Sequence, residues 1–283
     1  MKFESGSDGL FHYVLGELSY DDFDKTGRLS MWKLARLVEG ARSAFNHYGP
    51  LVNLIDYNTS TIFLRSQSFK IYPAFYTDNL TQNYSVKINA FVSHIGRTSY
   101  CMDTDVYNLI TNKLLASATT HAVLISRKTR RPTPFLLNGR QYVNVMSTHG
   151  KRPVPDREFP VPPSVHFTHK RTVMPSDTDS NQHLNQAAYI RFCFDCASKA
   201  AIDGKLPGFT NDIIHSDTEA VWILYVHEAK VGEELTLTCW KDNDCNRTIW
   251  VQISRESQIF SQCQIKLYDM KFESKNSQTV AKL

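Results

Sequence analysis

No run in this 283-residue sequence reaches the roughly 20 apolar residues that a membrane-spanning helix requires. Its first residues, Met1-Lys2-Phe3-Glu4-Ser5-Gly6, lack the basic-then-apolar pattern of a secretory leader, so neither secretion nor import from that end is expected. A long basic track is missing too. The charge balance is +4, and Arg127-Lys128-Thr129-Arg130-Arg131 is the densest cluster. That cluster suits a solvated strand end or a substrate phosphate better than nucleic acid, which is not an expected partner. The six cysteines make no disulfide framework. Cys193 and Cys196 form a C-x-x-C, but on the apolar face of a predicted helix, and Cys239 and Cys245 have no partners at zinc spacing. Free thiols in a reducing compartment fit best. No G-x-S-x-G surrounds Ser176 or Ser180, and His166, His169 and His183 show no metal-ligand pattern. Neither a metal nor a cofactor is implied. What is left is an ordinary globular composition, 42% apolar and 21% charged, at a length suited to one large or two medium domains.

One stretch is not ordinary. Asp177-Thr178-Asp179-Ser180-Asn181-Gln182-His183-Leu184-Asn185 runs directly into Gln186-Ala187-Ala188-Tyr189-Ile190-Arg191-Phe192. Asp179, Asn181 and His183 stand at alternate positions. After them Tyr189, Phe192, Cys193, Cys196, Ala197, Ala200 and Ala201 recur three or four apart, the mark of a helix with a buried face. Asp and Asn ahead of such a helix accept hydrogen bonds from its free first-turn N–H groups. The same helix start carries a partial positive charge that could polarise a carbonyl.

The motif Asp179-Ser180-Asn181-Gln182-His183-Leu184-Asn185, with Tyr189-Ile190 after it, resembles that of the plant and bacterial acyl-acyl-carrier-protein thioesterases, within the 4-hydroxybenzoyl-CoA thioesterase-like hotdog superfamily. In that family a D-x-N-x-H-x-N motif is followed by a Glu in a Y-x-x-E context, which Tyr225-Val226-His227-Glu228 supplies. The resemblance implies a tandem, or double, hotdog, each half an antiparallel sheet wrapped around a long central helix. It also implies Asp179, Asn181, His183 and Glu228 as the catalytic set, with Asn185 on the substrate. The first half would supply the acyl pocket, around Met31, Trp32 and Leu34.

The order of elements agrees with an α+β class. A strand is expected at Phe11 to Leu18, then a polar turn and a helix from near Ser30, with Leu34, Leu37, Val38, Ala41 and Phe45 on one face and Gly49-Pro50 at its end. Strands follow at Thr61–Leu64, Phe69–Tyr76, Tyr84–Ser93, Thr98–Tyr107 and Leu114–Ser126. The second half repeats the plan, with a strand at Ser164–Val173, the motif, a helix from Gln186 to about Ala201, and strands at Ala220–Val226, Leu235–Trp240, Thr248–Ser254 and Gln258–Tyr268. The halves align at an offset of 155 (179 minus 24), which sets Asp24 against Asp179, Thr26 against Asn181, Arg28 against His183 and Ser30 against Asn185. One live site and one degenerate copy are expected. The domains read as 1–146 for the degenerate hotdog, 147–163 for a Pro-rich linker, 164–270 for the catalytic hotdog and 271–283 for a polar tail.

Those groups suit hydrolysis of a thioester by water under general-base catalysis. Glu228 and His183 would position and deprotonate the water, while Asn181 and the helix start would hold the carbonyl oxygen. Two other readings stay open, a hotdog hydratase acting on enoyl or hydroxyacyl thioesters and a binder of acyl thioesters without turnover. Hydratases of this class use a wider Asp-to-His spacing. The tail ends in Ala281-Lys282-Leu283, a small-basic-Leu tripeptide of the peroxisomal kind. It gives a peroxisomal expectation, with an import receptor as partner, over a cytoplasmic alternative. It also favours acyl-CoA over acyl-carrier protein as substrate. A second copy of the chain, forming a homodimer, completes the expected partners.

Overall fold

The computed structural model describes residues 2–5, 11–15, 18–49, 51–78, 85–136, 158–209 and 211–269. The chain forms two compact units, one of Met1–Tyr20 with Arg36–Pro155 and the other of Asp21–Ala35 with Asp156–Leu283. The polar turn after Tyr20 and the first turn of the following helix group with the second unit.

In the first unit the strands are β1 (Lys2–Ser5), β2 (Phe11–Leu15), β3 (Ser60–Ile71), β4 (Val86–Ile95), β5 (Ser99–Asn108) and β6 (Leu114–Ser126). They pair antiparallel in the order β1-β2-β4-β5-β6-β3. Helix α1 (Met31–Tyr48) starts from the Ser30 carbonyl, which accepts from Lys33 and Leu34 N–H. Its apolar stripe fills the core as the spacing requires. Val38, Ala41 and Phe45 are fully buried, and Phe45 meets Phe11 edge-on with ring centroids 5.5 Å apart.

Two strand expectations need correction. The polar run Arg65-Ser66-Gln67-Ser68 does not break the sheet, because β3 is continuous and pairs with β6 along its length, with one irregularity between Leu64 and Ser66. Gln67 is buried and donates to Thr120 Oγ1 at 3.2 Å, which satisfies an amide inside the ladder. The strand expected at Phe69–Tyr76 stops at Ile71. Pro73 lacks the N–H a ladder needs, and it opens the short helix α2 (Ala74–Thr77) instead.

The second unit holds β7 (Phe167–Thr172), α3 (Gln186–Ile202), β8 (Thr218–Tyr225), β9 (Glu234–Lys241), β10 (Thr248–Arg255) and β11 (Gln258–Leu267). Its sheet is antiparallel in the order β8-β11-β10-β9-β7. Helix α3 packs across β7, β9, β10 and β11. Ile190, Phe194, Ala187 and Ala188 are buried along with the expected stripe, so the first turns are covered on nearly every side, while Asp195, Lys199 and Ile202 leave an exposed strip further along. Cys239, Val251 and Cys263 form one cross-strand row of the sheet. Cys193 hydrogen-bonds Cys263 and Cys196 hydrogen-bonds Cys239, so the C-x-x-C is core packing. All six cysteines are free thiols.

Antiparallel sheet in both units is consistent with a hotdog fold. The described end of the expected linker, residues 158–163, has no regular structure, yet Phe159 sits edge-on to Trp240 and Trp250 at 5.6 and 5.0 Å. The rest of that linker and the tail with Ala281-Lys282-Leu283 lie outside the described residues. Among the described residues no helix is long and apolar enough to cross a membrane.

Candidate active site

The motif folds into a tight loop held by its own backbone. A 3-10 turn, Pro175–Asp177, leads in. The Asp177 carboxylate accepts from Met174 N–H at 2.9 Å and pairs with Arg191 of α3, which ties the loop entry to the helix. Asp179 N–H donates to the His183 carbonyl at 3.0 Å, and Gln182 N–H to the Asp179 carbonyl at 2.9 Å. Gln182 takes a positive φ of 62° to make this turn. Asp179 Oδ1 accepts from Asn181 N–H at 2.8 Å, so the first acid of the motif holds the turn. Asn181 is exposed at its tip.

Asn185 ends the loop. Its side chain is fully buried and its Oδ1 accepts from Ala187 N–H at 2.8 Å, which makes it the N-cap of α3. That cap occupies one of the helix-start donors that the sequence reading had left for a substrate carbonyl.

The second half of the site comes from the chain after β8. Leu184 N–H donates to the Ala229 carbonyl at 2.7 Å, and His183 bridges Lys230 in antiparallel fashion. Glu228 is the residue before Ala229, diagonal to His183 across this antiparallel contact, and His183 Nδ1 lies 3.4 Å from Glu228 Oε1. Both side chains stay in reach of solvent, at 23% and 33% exposure, as a site that admits water needs. Among the described residues no cluster of three or more His, Cys, Asp or Glu could hold a metal ion.

Residues 22–30 build the same loop a second time. Asp24 N–H donates to the Arg28 carbonyl at 2.7 Å, Gly27 N–H to the Asp24 carbonyl at 2.9 Å, and Ser30 N–H to the Asp22 carbonyl at 3.1 Å. Asp24 Oδ1 accepts from Thr26 N–H at 2.7 Å, and Gly27 takes the positive φ, 75°, of Gln182. Each of these matches a bond of the motif loop at the offset of 155 (179 minus 24). The side chains differ where chemistry would lie. Arg28 replaces the imidazole and pairs with the buried Asp217, while Lys25 pairs with Asp212 at 2.5 Å.

No protein-family model and no curated protein matches the sequence. Solved structures match it along most of its length. An acyl-ACP thioesterase from Bacteroides thetaiotaomicron is similar with a TM-score of 0.72 at 18% identity, over 92% of this chain and 98% of that one. The 12:0-ACP thioesterase from Umbellularia californica gives 0.70 at 12% identity, over 92% and 94%. The chain has the fold of the acyl-ACP thioesterases. A putative oleoyl thioesterase from Lactobacillus plantarum agrees, at 0.68 and 17% identity over 94% and 99%.

Within this acyl-ACP thioesterase fold the expected pocket residues separate. Met31 and Leu34 are buried core. Trp32 lines an open crevice of about 630 Å³ in the second unit, with Phe23, Ile202 and Ile214 as its other apolar walls. Cys193 is fully buried, and burial holds its thiol well above the ordinary range, which removes it as a nucleophile.

Two stability measurements check this account. Arg28→Met removes the guanidinium paired with the buried Asp217 carboxylate and should cost about 3–5 kcal/mol in urea unfolding. Lys170→Met breaks the exposed pair with Glu234 and should cost less than about 1 kcal/mol. Equal losses would contradict a structural role for the Arg28 pair. Asn185→Ala should cost about 1–2 kcal/mol through the lost cap, with Asn185→Asp close to wild type. A neutral Asn185→Ala would remove the cap assignment.

Proposed function

We propose that the protein is a thioesterase, built as a tandem of two hotdog domains, each a sheet wrapped around its long helix. The second copy would hydrolyse fatty acyl thioesters to free fatty acid and thiol, and the first would be its degenerate duplicate. The observation that carries this reading is the approach of His183 to Glu228, 3.4 Å apart, on segments joined beside the start of α3. The shared fold of three solved thioesterases supports it.

In this reading Glu228 and His183 hold a water and take its proton as its oxygen adds to the thioester carbonyl carbon. The carbonyl electron pair moves onto oxygen, where Asn181 and the positive end of α3 stabilise it. Collapse of that intermediate breaks the carbon–sulfur bond, and the departing thiolate recovers the proton. Asp179 acts through the turn it holds. The Asp24 turn is its counterpart in the degenerate copy, so the acid alone does not make a loop catalytic. Acyl-CoA is the proposed substrate ahead of acyl-carrier protein, an order that the comparison of the two carriers decides.

Thiol release from palmitoyl-CoA and from palmitoyl-carrier protein tests both levels. His183→Ala and Glu228→Ala should each lower turnover roughly a hundredfold or more, with Asp179→Asn impaired as well. Three fully active, folded variants would place the chemistry elsewhere, and faster release from the carrier protein would reverse the substrate order. Trp32→Ala should shift the preferred acyl length across a C8 to C18 series. An unchanged profile would remove Trp32 from the acyl pocket.

A further inference from the structure

Glu228 stands on backbone that belongs to no strand. Sheet pairing of β8 runs out at Tyr225, and both Val226 and His227 N–H turn to a single acceptor, the Phe260 carbonyl, at 2.9 and 3.1 Å. Beyond that fork a side chain from α3 takes hold of the peptide units on either side of Glu228. The Tyr189 hydroxyl donates to the His227 carbonyl at 3.0 Å and accepts from Ala229 N–H at 3.1 Å. One phenol oxygen thus grips the residue before the carboxylate and the residue after it.

The phenol is itself firmly seated. Tyr189 is 3% exposed, and its ring packs edge-on to Tyr225 with centroids 5.6 Å apart. The Tyr225 hydroxyl reaches back to the Gln186 carbonyl at 3.3 Å, a second tie between the start of α3 and the end of β8. Burial pushes the Tyr189 phenol well above its usual range, so it keeps the proton it donates at any working pH. Because residues 186–194 of α3 are buried but for the half-buried Arg191, the hydroxyl is carried by a part of the structure that cannot readily shift.

We propose that Tyr189 is the positioning residue for Glu228, setting the carboxylate at its distance from His183 without touching substrate. The inference rests on the thioesterase reading for the reaction that Glu228 serves. A misplacement of about 1 Å in a catalytic group can cost on the order of a hundredfold in rate. Tyr189→Phe keeps the ring and its packing and removes only the oxygen, which leaves the His227 carbonyl and the Ala229 N–H without it.

The test is a double-mutant cycle on palmitoyl-CoA hydrolysis. Tyr189→Phe should lower kcat roughly 10- to 100-fold with KM within about twofold of wild type. In a Glu228→Gln background the same change should cost less than about twofold, because the group it positions no longer acts. A purely structural tyrosine would impose its full penalty in both backgrounds, and that result, or an unchanged kcat, would overturn the proposal. Should Tyr189→Phe fail to fold, hydrogen exchange on the unsubstituted protein decides. The Ala229 amide should be protected as strongly as the Leu184 amide, and exchange at the rate of an open loop would overturn the proposal. Wild-type protein that releases no thiol from any acyl thioester would overturn the thioesterase reading and this role with it. Hydrolysis that falls with Glu228→Gln but not with Tyr189→Phe would overturn the positioning role alone.

Discussion

The Ala229 carbonyl accepts from Leu184 N–H at 2.7 Å, and the geometry of the candidate site follows from that bond. The two segments run antiparallel there, with His183 opposite Lys230, and Glu228 stands two residues before Lys230. The imidazole and the carboxylate meet across that diagonal, 3.4 Å apart, from segments that belong to no shared element. In the proposed account their separation is set by main-chain bonds, by the Asn185 cap and by the Tyr189 hydroxyl, the last two carried by the buried start of α3. A site built this way is preorganised by packing, which is how a loop can hold reacting groups to fractions of an ångström.

The repeated loop at residues 22–30 separates scaffold from chemistry. It has the same turn acid, the same positive-φ corner and the same return to a helix start, and it ends in an arginine bound to a buried aspartate. The loop shape therefore does not depend on an imidazole at its last turn position. On the proposed reading, function on such a scaffold resides in the few side chains placed on it, Asn181 and His183 against Thr26 and Arg28. The same comparison explains the part played by Asp179. An acid that accepts its own loop N–H in both copies is a shape-holding residue first.

Local chemistry made much of this legible in the sequence. The apolar stripes of α1 and α3 and the β-branched runs of β6, β10 and β11 follow from residue spacing, and the offset between the copies matched the hydrogen bonds one for one. Other features depend on partners distant in the chain, which spacing does not report. Gln67 looked like an interruption because its acceptor, Thr120, lies on another strand. The Pro-rich residues read as a linker, although Phe159 finds Trp240 and Trp250 once the sheet exists. The polarity of Asn185 was visible in the sequence, while its burial was not. The meeting of His183 with Glu228 came only from the family resemblance, since no periodic pattern connects positions so far apart.

The most direct measurement is a crystal structure of the protein with a non-hydrolysable acyl-CoA in which a methylene replaces the thioester sulfur. The account predicts the ketone carbon beside the His183–Glu228 pair, its oxygen toward Asn181 and the start of α3, and an ordered water held by Glu228. An analogue seated in another cavity, with the His183–Glu228 pair open to bulk solvent and untouched, would contradict it.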